Sequence, residues 1–455
     1  MEWSKLLKLE RLNDAGYIPQ KHRPAYVQDI DRILFSPPFR RLANKTQVHP
    51  LYDNDHIHHR LIHSLEVASV GRSLGVEVGA WLEESGEIPA EQVEVIAGLV
   101  QTACMAHDIG NPPFGHSGET AIASWFRAKF ADDRGILSDI DNRKRAEFEA
   151  FEGNAQGFRI LARTEMYRDD GGLRLTIGSL GAFTKYPVSA FVRAHAGDAL
   201  VDGLPYIGVK KYGVFENDVA AFSAIAGELG LPSHDVRGPE LNLLGYWWAR
   251  HPLAYLMEAA DDICYNVMDL EDAYLSGDLE AELVIDLLKG LIKSSNKAYP
   301  EQSEADIVSR HRALAIRGAI ASCVEAFKEN YVAIMAGAFP ISLIEAASVK
   351  DPFKAIKSVA KNRIFKARRK TELEVYGRNI VYKILDGLLP LFDDLGSVDW
   401  DADKVSGYHL QVARALGLPL SSLKNPYDAV HGLTDFVSGM TDRYAVKVAD
   451  MIGAR

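Results

Sequence analysis

Two imidazoles and two carboxylates mark this chain: His63, the doublet His107-Asp108, and Asp261 far downstream. Together they have the donor types of a single site for a divalent cation of hard to borderline character. The doublet stands at the polar end of the apolar stretch 95–105 and is followed by Gly110-Asn111-Pro112-Pro113-Phe114-Gly115. A helix is therefore expected to end at its own ligands. The glycines let backbone groups approach a ligand closely, and two proton-transfer groups follow, His116 and Glu119. Lying three apart, these two can share a helix face. A lone His-Asp pair is commonly a cap, and a lone His on an apolar face is commonly a core residue. Their joint appearance beside His116 and Glu119 favours chemistry.

These residues need rigid elements beneath them. His63 is flanked by apolar residues at 61, 62, 65, 67, 70 and 74, the spacing of a buried amphipathic helix. Asp261, Tyr265 and Asp269 are four apart and fall within one helical stripe, with Met257, Ile263, Val267 and Leu270 as apolar neighbours. A carboxylate in such a buried helix requires a counter-charge, supplied by a metal or by an Arg partner. Long helices are expected at 67–82, 93–105, 253–275 and 313–336. Alternating β patterns are scarce, and the best hairpin candidate is 164–176. Loops are expected at 36–38, 197–205, 231–239 and 399–403. The fold class is all-α: a helical catalytic core with a C-terminal helical extension packed onto it, with one short β-hairpin as a candidate addition.

With 455 residues and 47% hydrophobic content, the chain can bury a large core. The longest apolar run, 331–344, is interrupted by Pro340 and too short to span a bilayer, so no membrane partner is expected. The N-terminal residues show no signal-peptide hydrophobic block, and cytoplasm is the expected location. Three cysteines, Cys104, Cys264 and Cys323, give no disulfide framework and are read as core packing. A net charge of −11 argues against a surface built for general nucleic-acid binding. Basic groups that could meet an anion are Lys185, Lys210 and Lys211. The run Arg363, Lys366, Arg368, Arg369 and Lys370 is read first as a solvated face, and second as a contact for phosphate, a regulatory nucleotide or single-stranded DNA.

The order His, His-Asp, Asp resembles the HD superfamily of metal-dependent phosphohydrolases. Gly110 to Glu119 and Glu258-Ala259-Ala260-Asp261-Asp262-Ile263 are similar to the deoxyguanosine triphosphate triphosphohydrolases, the dGTPases. So are Phe39-Arg40-Arg41-Leu42 with Lys45-Thr46-Gln47-Val48, and Ser438-Gly439-Met440-Thr441-Asp442. The likeness spans nearly the whole chain and departs from the family pattern at Ile62 and at Ala43-Asn44. It implies one unit over 1–455, with an HD core at 30–290 and a helical region at 291–455. His63, His107, Asp108 and Asp261 would hold one divalent ion; Mn²⁺ and Mg²⁺ suit the carboxylates, while the imidazoles admit Fe, Co or Zn. His116 and Glu119 would be catalytic, and Arg60, Lys185 and Lys211 would contact phosphate. Gln47, Tyr265 and Asp269 would contact the deoxyribose. The implied reaction converts dGTP, or another dNTP, to the deoxynucleoside and inorganic triphosphate, and the implied assembly is a homo-oligomer such as a hexamer. Competing readings are another HD enzyme, either a nucleoside monophosphate phosphatase or a guanosine alarmone hydrolase, and a non-catalytic nucleotide or nucleic-acid sensor.

Overall fold

Glycine spacing decides how the first two ligand-bearing helices meet. Helix Arg60–Glu84 carries Gly71, Gly75 and Gly79 on one stripe, and helix Val93–Ala106 runs antiparallel against it. A Cβ at Gly71 would lie 2.3 Å from Cys104 Sγ, one at Gly75 2.8 Å from Ala97 Cα, and one at Gly79 3.2 Å from Val93 Cγ1. Only residues without a side chain permit this approach, which brings the start of one helix beside the end of the other. Val67, Leu74, Val78 and Leu82 are wholly buried, each stabilising the fold by roughly 1.5–3 kcal/mol relative to exposure. The buried face is narrower than the sequence suggested, because Ile62 and Leu65 are exposed.

These helices belong to a computed structural model that describes residues 1–14, 16–46, 58–165, 172–197, 199–201, 203–292, 303–364 and 368–453. The all-α expectation holds among the described residues: helices dominate, and the strands form two small antiparallel hairpins where one was expected. Helix Pro252–Leu275 crosses the first pair and is buried along most of its length. Its start is fixed by Pro252 in the first turn and by His251, whose Nδ1 accepts the Leu253 N–H at 3.1 Å. A first apolar cluster runs from Trp3 to Ile364 around these helices. A second gathers helix His116–Asp132 with the C-terminal helices Arg368–Ser397, Pro426–Ser438 and Asp442–Ile452. Among the described residues no helix is long and apolar enough to cross a membrane.

Local departures from the sequence reading have local causes. Segment 231–239 is not a loop: Ser233–Arg237 pairs with Leu243–Trp248, stabilised by His234 stacking on Trp247 at 3.8 Å. Segment 197–205 contains the short pair Leu200–Val201 and Leu204–Pro205. At 36–38, Ser36 caps helix Pro37–Arg41, whose prolines are tolerated in the first turn because its N–H groups have no helical partner. The helix expected at 313–336 is Glu304–Glu329, and it ends at Asn330, whose side chain donates to Ala326 O at 2.8 Å. Of the hairpin candidate 164–176, residues 166–171 lie outside the described ones. The flanks carry a π-turn, Ile160–Thr164, and Thr176 capping helix Ile177–Phe183. In the basic run, Arg363 is exposed, Lys366 is outside the described residues, and so are the side chains of Arg368, Arg369 and Lys370.

Candidate metal centre and active site

The helix packing brings the four expected ligands together. His63 Nε2 lies 3.3 Å from Asp261 Oδ1, and His107 Nε2 lies 3.4 Å from the same oxygen and 3.5 Å from Asp108 Oδ1. His63, His107 and Asp108 each offer a ligand atom within 4.8 Å of the others, and all three are buried. The tautomer of His107 is fixed by its own helix: Nδ1 is 2.7 Å from Cys104 O, a carbonyl that can only accept. Nδ1 therefore carries a proton, and in the neutral ring Nε2 keeps its lone pair. That Nε2 is buried and makes no oriented hydrogen bond. A lone pair facing two carboxylates is repulsive unless a cation stands among them. That cation is either a proton on Nε2, which burial opposes but Asp108 and Asp261 favour, raising the His107 pKa, or a metal ion, and the donor set fits a divalent one.

Each carboxylate also has a fixed basic partner. Asp108 accepts from Arg60 Nη1 at 2.5 Å and from the Asn111 amide. Burial pushes its carboxyl up, but Arg60, His107 and His63 outweigh burial and hold it well below the usual range. Asp261 Oδ2 accepts from Lys185 Nζ at 2.7 Å. Burial opposes its ionisation too, and Lys185 with His107 keeps it charged. The basic partner foreseen for Asp261 thus exists as Lys185 rather than an Arg. Arg60 and Lys185, expected to face phosphate, are engaged with ligand carboxylates while also lining the cavity.

The turn 110–115 leads from the ligands into helix His116–Asp132, which presents the second pair. His116 Nδ1 lies 2.7 Å from Glu119 Oε2, and Glu119 Oε1 accepts the Gly153 N–H at 2.8 Å. Glu119 is buried, whereas the His116 side chain is 83% exposed, so the imidazole can reach a substrate. The hydrogen bond and charge of Glu119 raise the His116 pKa. Burial pushes Glu119 up, and His116 and Lys211 lower it further than that. Lys211 itself pairs with Glu152.

A cavity of about 960 Å³ is lined by the four expected ligands, His116, Glu119, Arg60, Lys185, Lys211 and Tyr265. Its volume falls within the range of small-molecule sites. Tyr265 hydrogen-bonds to Asp269, and burial followed by the Asp269 charge pushes its phenol pKa up. Asp269 is buried behind it and is not a lining residue. Gln47 lies outside the described residues. Cys104 and Cys264 are buried free thiols, consistent with packing. The sequence reading missed Asn111 on Asp108, Glu152 on Lys211 and Glu258 on the buried Arg250. Only Asn111 had a signal, its place three residues after Asp108.

Comparison with known proteins agrees with this geometry. The HD domain family matches residues 60–168, the segment that carries His63, His107, Asp108, His116 and Glu119. HD domains bind divalent metals, and the buried His-His-Asp cluster lies within the match. A deoxyguanosinetriphosphate triphosphohydrolase-like protein of Pseudomonas aeruginosa is 39% identical over 99% of this chain and 98% of its own length. Proteins of the same description from Synechocystis sp. and Listeria monocytogenes are 36% and 32% identical, each over 98% of this chain and 97% and 98% of their own lengths. With identity of this order along nearly the entire length and the HD ligands assembled at one cavity, the chain belongs to the dGTPase family of HD-domain phosphohydrolases.

Proposed function

We propose that this chain hydrolyses dGTP, or another deoxynucleoside triphosphate, at the α-phosphorus, releasing the deoxynucleoside and intact inorganic triphosphate. The observation that carries the reading is the meeting, in one cavity, of the ligand set, the His116–Glu119 pair, basic side chains and Tyr265. A divalent ion held by His63, His107, Asp108 and Asp261 would polarise the phosphorus and acidify water, with Mn²⁺ or Mg²⁺ best suited to the carboxylates. His116, its pKa raised by its contact with Glu119, donates its Nε2 proton to the 5′ oxygen as the bond to phosphorus breaks. A water oxygen bonds to phosphorus, and the water proton leaves to solvent.

Arg60 and Lys185 retain donors beyond those used on Asp108 and Asp261, and these would reach phosphate oxygens, as would Lys211. Tyr265, braced by Asp269, would fill the space that a ribose 2′-hydroxyl needs, and Gln47 would add a sugar contact. Such a site rejects ribose by sterics. The test is to incubate the purified protein and Mn²⁺ with each dNTP and with GTP and to separate the products by chromatography. Deoxynucleoside and inorganic triphosphate are expected. Monophosphate with pyrophosphate, or orthophosphate alone, overturns the reading.

A further inference from the structure

Between the ligand doublet and the proton-transfer pair the chain adopts a conformation that its residues disfavour. Phe114 has φ +63° and Gly115 φ +57°. A left-handed backbone is costly for a bulky side chain and persists only where the surroundings enforce it. The enforcing contacts come from far away. Asp442, buried in the first turn of helix Asp442–Ile452, accepts the Phe114 N–H on Oδ1 at 2.9 Å and the Thr46 N–H on Oδ2 at 3.1 Å. The Thr46 hydroxyl donates to the same Oδ2. Lys45, also buried, donates from Nζ to Asn111 O at 2.6 Å and to Ser438 O at 2.7 Å. Its own carbonyl accepts the Arg60 N–H at 3.2 Å, at the start of the His63 helix. The Phe114 ring is received by helix Arg368–Ser397 at Gly377, where a Cβ would lie 2.6 Å from it.

We infer that Asp442, with Lys45, is a positioning clasp that fixes the 110–115 turn, and so sets His116 and Glu119 relative to the ligand doublet. Neither side chain is assigned to touch substrate or metal. Asp442 meets three donors with two acceptor oxygens, and an amide in its place would turn one acceptor into a donor facing another donor. The inference rests on reading His116 and Glu119 as the proton-transfer pair.

The experiment compares full-length wild-type protein with Asp442→Ala, Asp442→Asn and Thr46→Val. Four quantities are measured: kcat and KM on the dNTP turned over best, Mn²⁺ affinity by calorimetry, melting temperature, and hydrogen exchange of peptide 110–119 by mass spectrometry. Asp442→Ala is expected to lower kcat about a hundredfold, the scale of an ångström of misplacement. KM and Mn²⁺ Kd should stay within about threefold, and exchange in 110–119 should accelerate. Asp442→Asn and Thr46→Val should fall between. Unchanged kcat, or a loss that tracks the unfolded fraction while exchange in 110–119 stays at the wild-type rate, overturns the clasp. A wild-type protein that turns over no dNTP refutes the proposed function, and the exchange measurement alone then decides the clasp.

Discussion

Gly110 offers a direct test of how closely the turn after the doublet must pack. It lies against helix Gly153–Arg159, and a Cβ there would sit 2.1 Å from Gly157 N, 2.2 Å from Gly153 O and 2.7 Å from the Gln156 carbonyl carbon. All three are backbone atoms, which cannot swing aside. Since ordinary contact begins at 3.4 Å, Gly110→Ala forces a displacement of 3.4 − 2.1 = 1.3 Å, shared between the turn and the helix. That helix carries the Gly153 N–H on which Glu119 rests, so the shift reaches Glu119 and, through it, His116, the pair proposed to transfer protons. Misplacement by about 1 Å costs roughly a hundredfold in rate. Overpacking of this kind costs about 1–3 kcal/mol of stability. With an unfolding entropy of about 2.1 cal/mol/K per residue, the 455 residues give roughly 1 kcal/mol/K, so Tm falls by only about 1–3 °C. The assay is kcat at saturating dNTP and Mn²⁺, paired with a thermal melt. A variant with kcat within twofold of wild type refutes the close-packing argument. One whose lost activity matches a Tm drop of tens of degrees refutes it as well, since the defect would then be global.

Glu119→Gln keeps an acceptor for Gly153 but removes the charge that raises the His116 pKa. The acid form of His116 is present below its folded pKa and lost as pH rises through it, so the descending limb of kcat moves to lower pH. On that limb kcat should fall below the wild-type value; a limb that stays in place rules out His116 as the acid. Asp261→Ala removes the oxygen shared by His63 and His107 and leaves the buried Lys185 without its partner. Mn²⁺ binding by calorimetry and turnover should vanish together, and retained full activity would remove Asp261 from the site. Tyr265→Ala should raise the ratio of kcat/KM for GTP over dGTP by about tenfold or more. An unchanged ratio contradicts a role in excluding ribose.

The elements of this site differ in how far the sequence exposes them. That His63, His107, Asp108 and Asp261 converge was readable because metal-ligand chemistry restricts residue types and because helical periodicity showed the supports under them. His116 and Glu119 were readable from their spacing of three, and the structure has them hydrogen-bonded. Lys185 was visible only as a basic residue; that it neutralises Asp261 depends on a tertiary approach between residues 76 apart. Asp442 and Lys45 gave no local sign of their partners, since a contact across 328 residues has no periodicity. The hairpin Ser233–Arg237 with Leu243–Trp248 escaped notice because its first strand is short, polar and mostly exposed, and its pairing depends on the aromatic second strand. Helix ends were set by single residues such as Ser36 and Asn330, whose capping a pattern of apolar positions does not encode.

The hydrogen bond from Phe114 to Asp442 also sets an order of events during synthesis. The two residues are separated by 328 positions. At roughly 5–20 residues per second, the carboxylate leaves the ribosome about 15–65 s after the turn it anchors. The ligand helices Arg60–Glu84 and Val93–Ala106 can pair early, because their glycine seam is local. The left-handed step at Phe114 has no such local support. A nascent chain can therefore gather His63, His107 and Asp108 well before it can hold His116 in register.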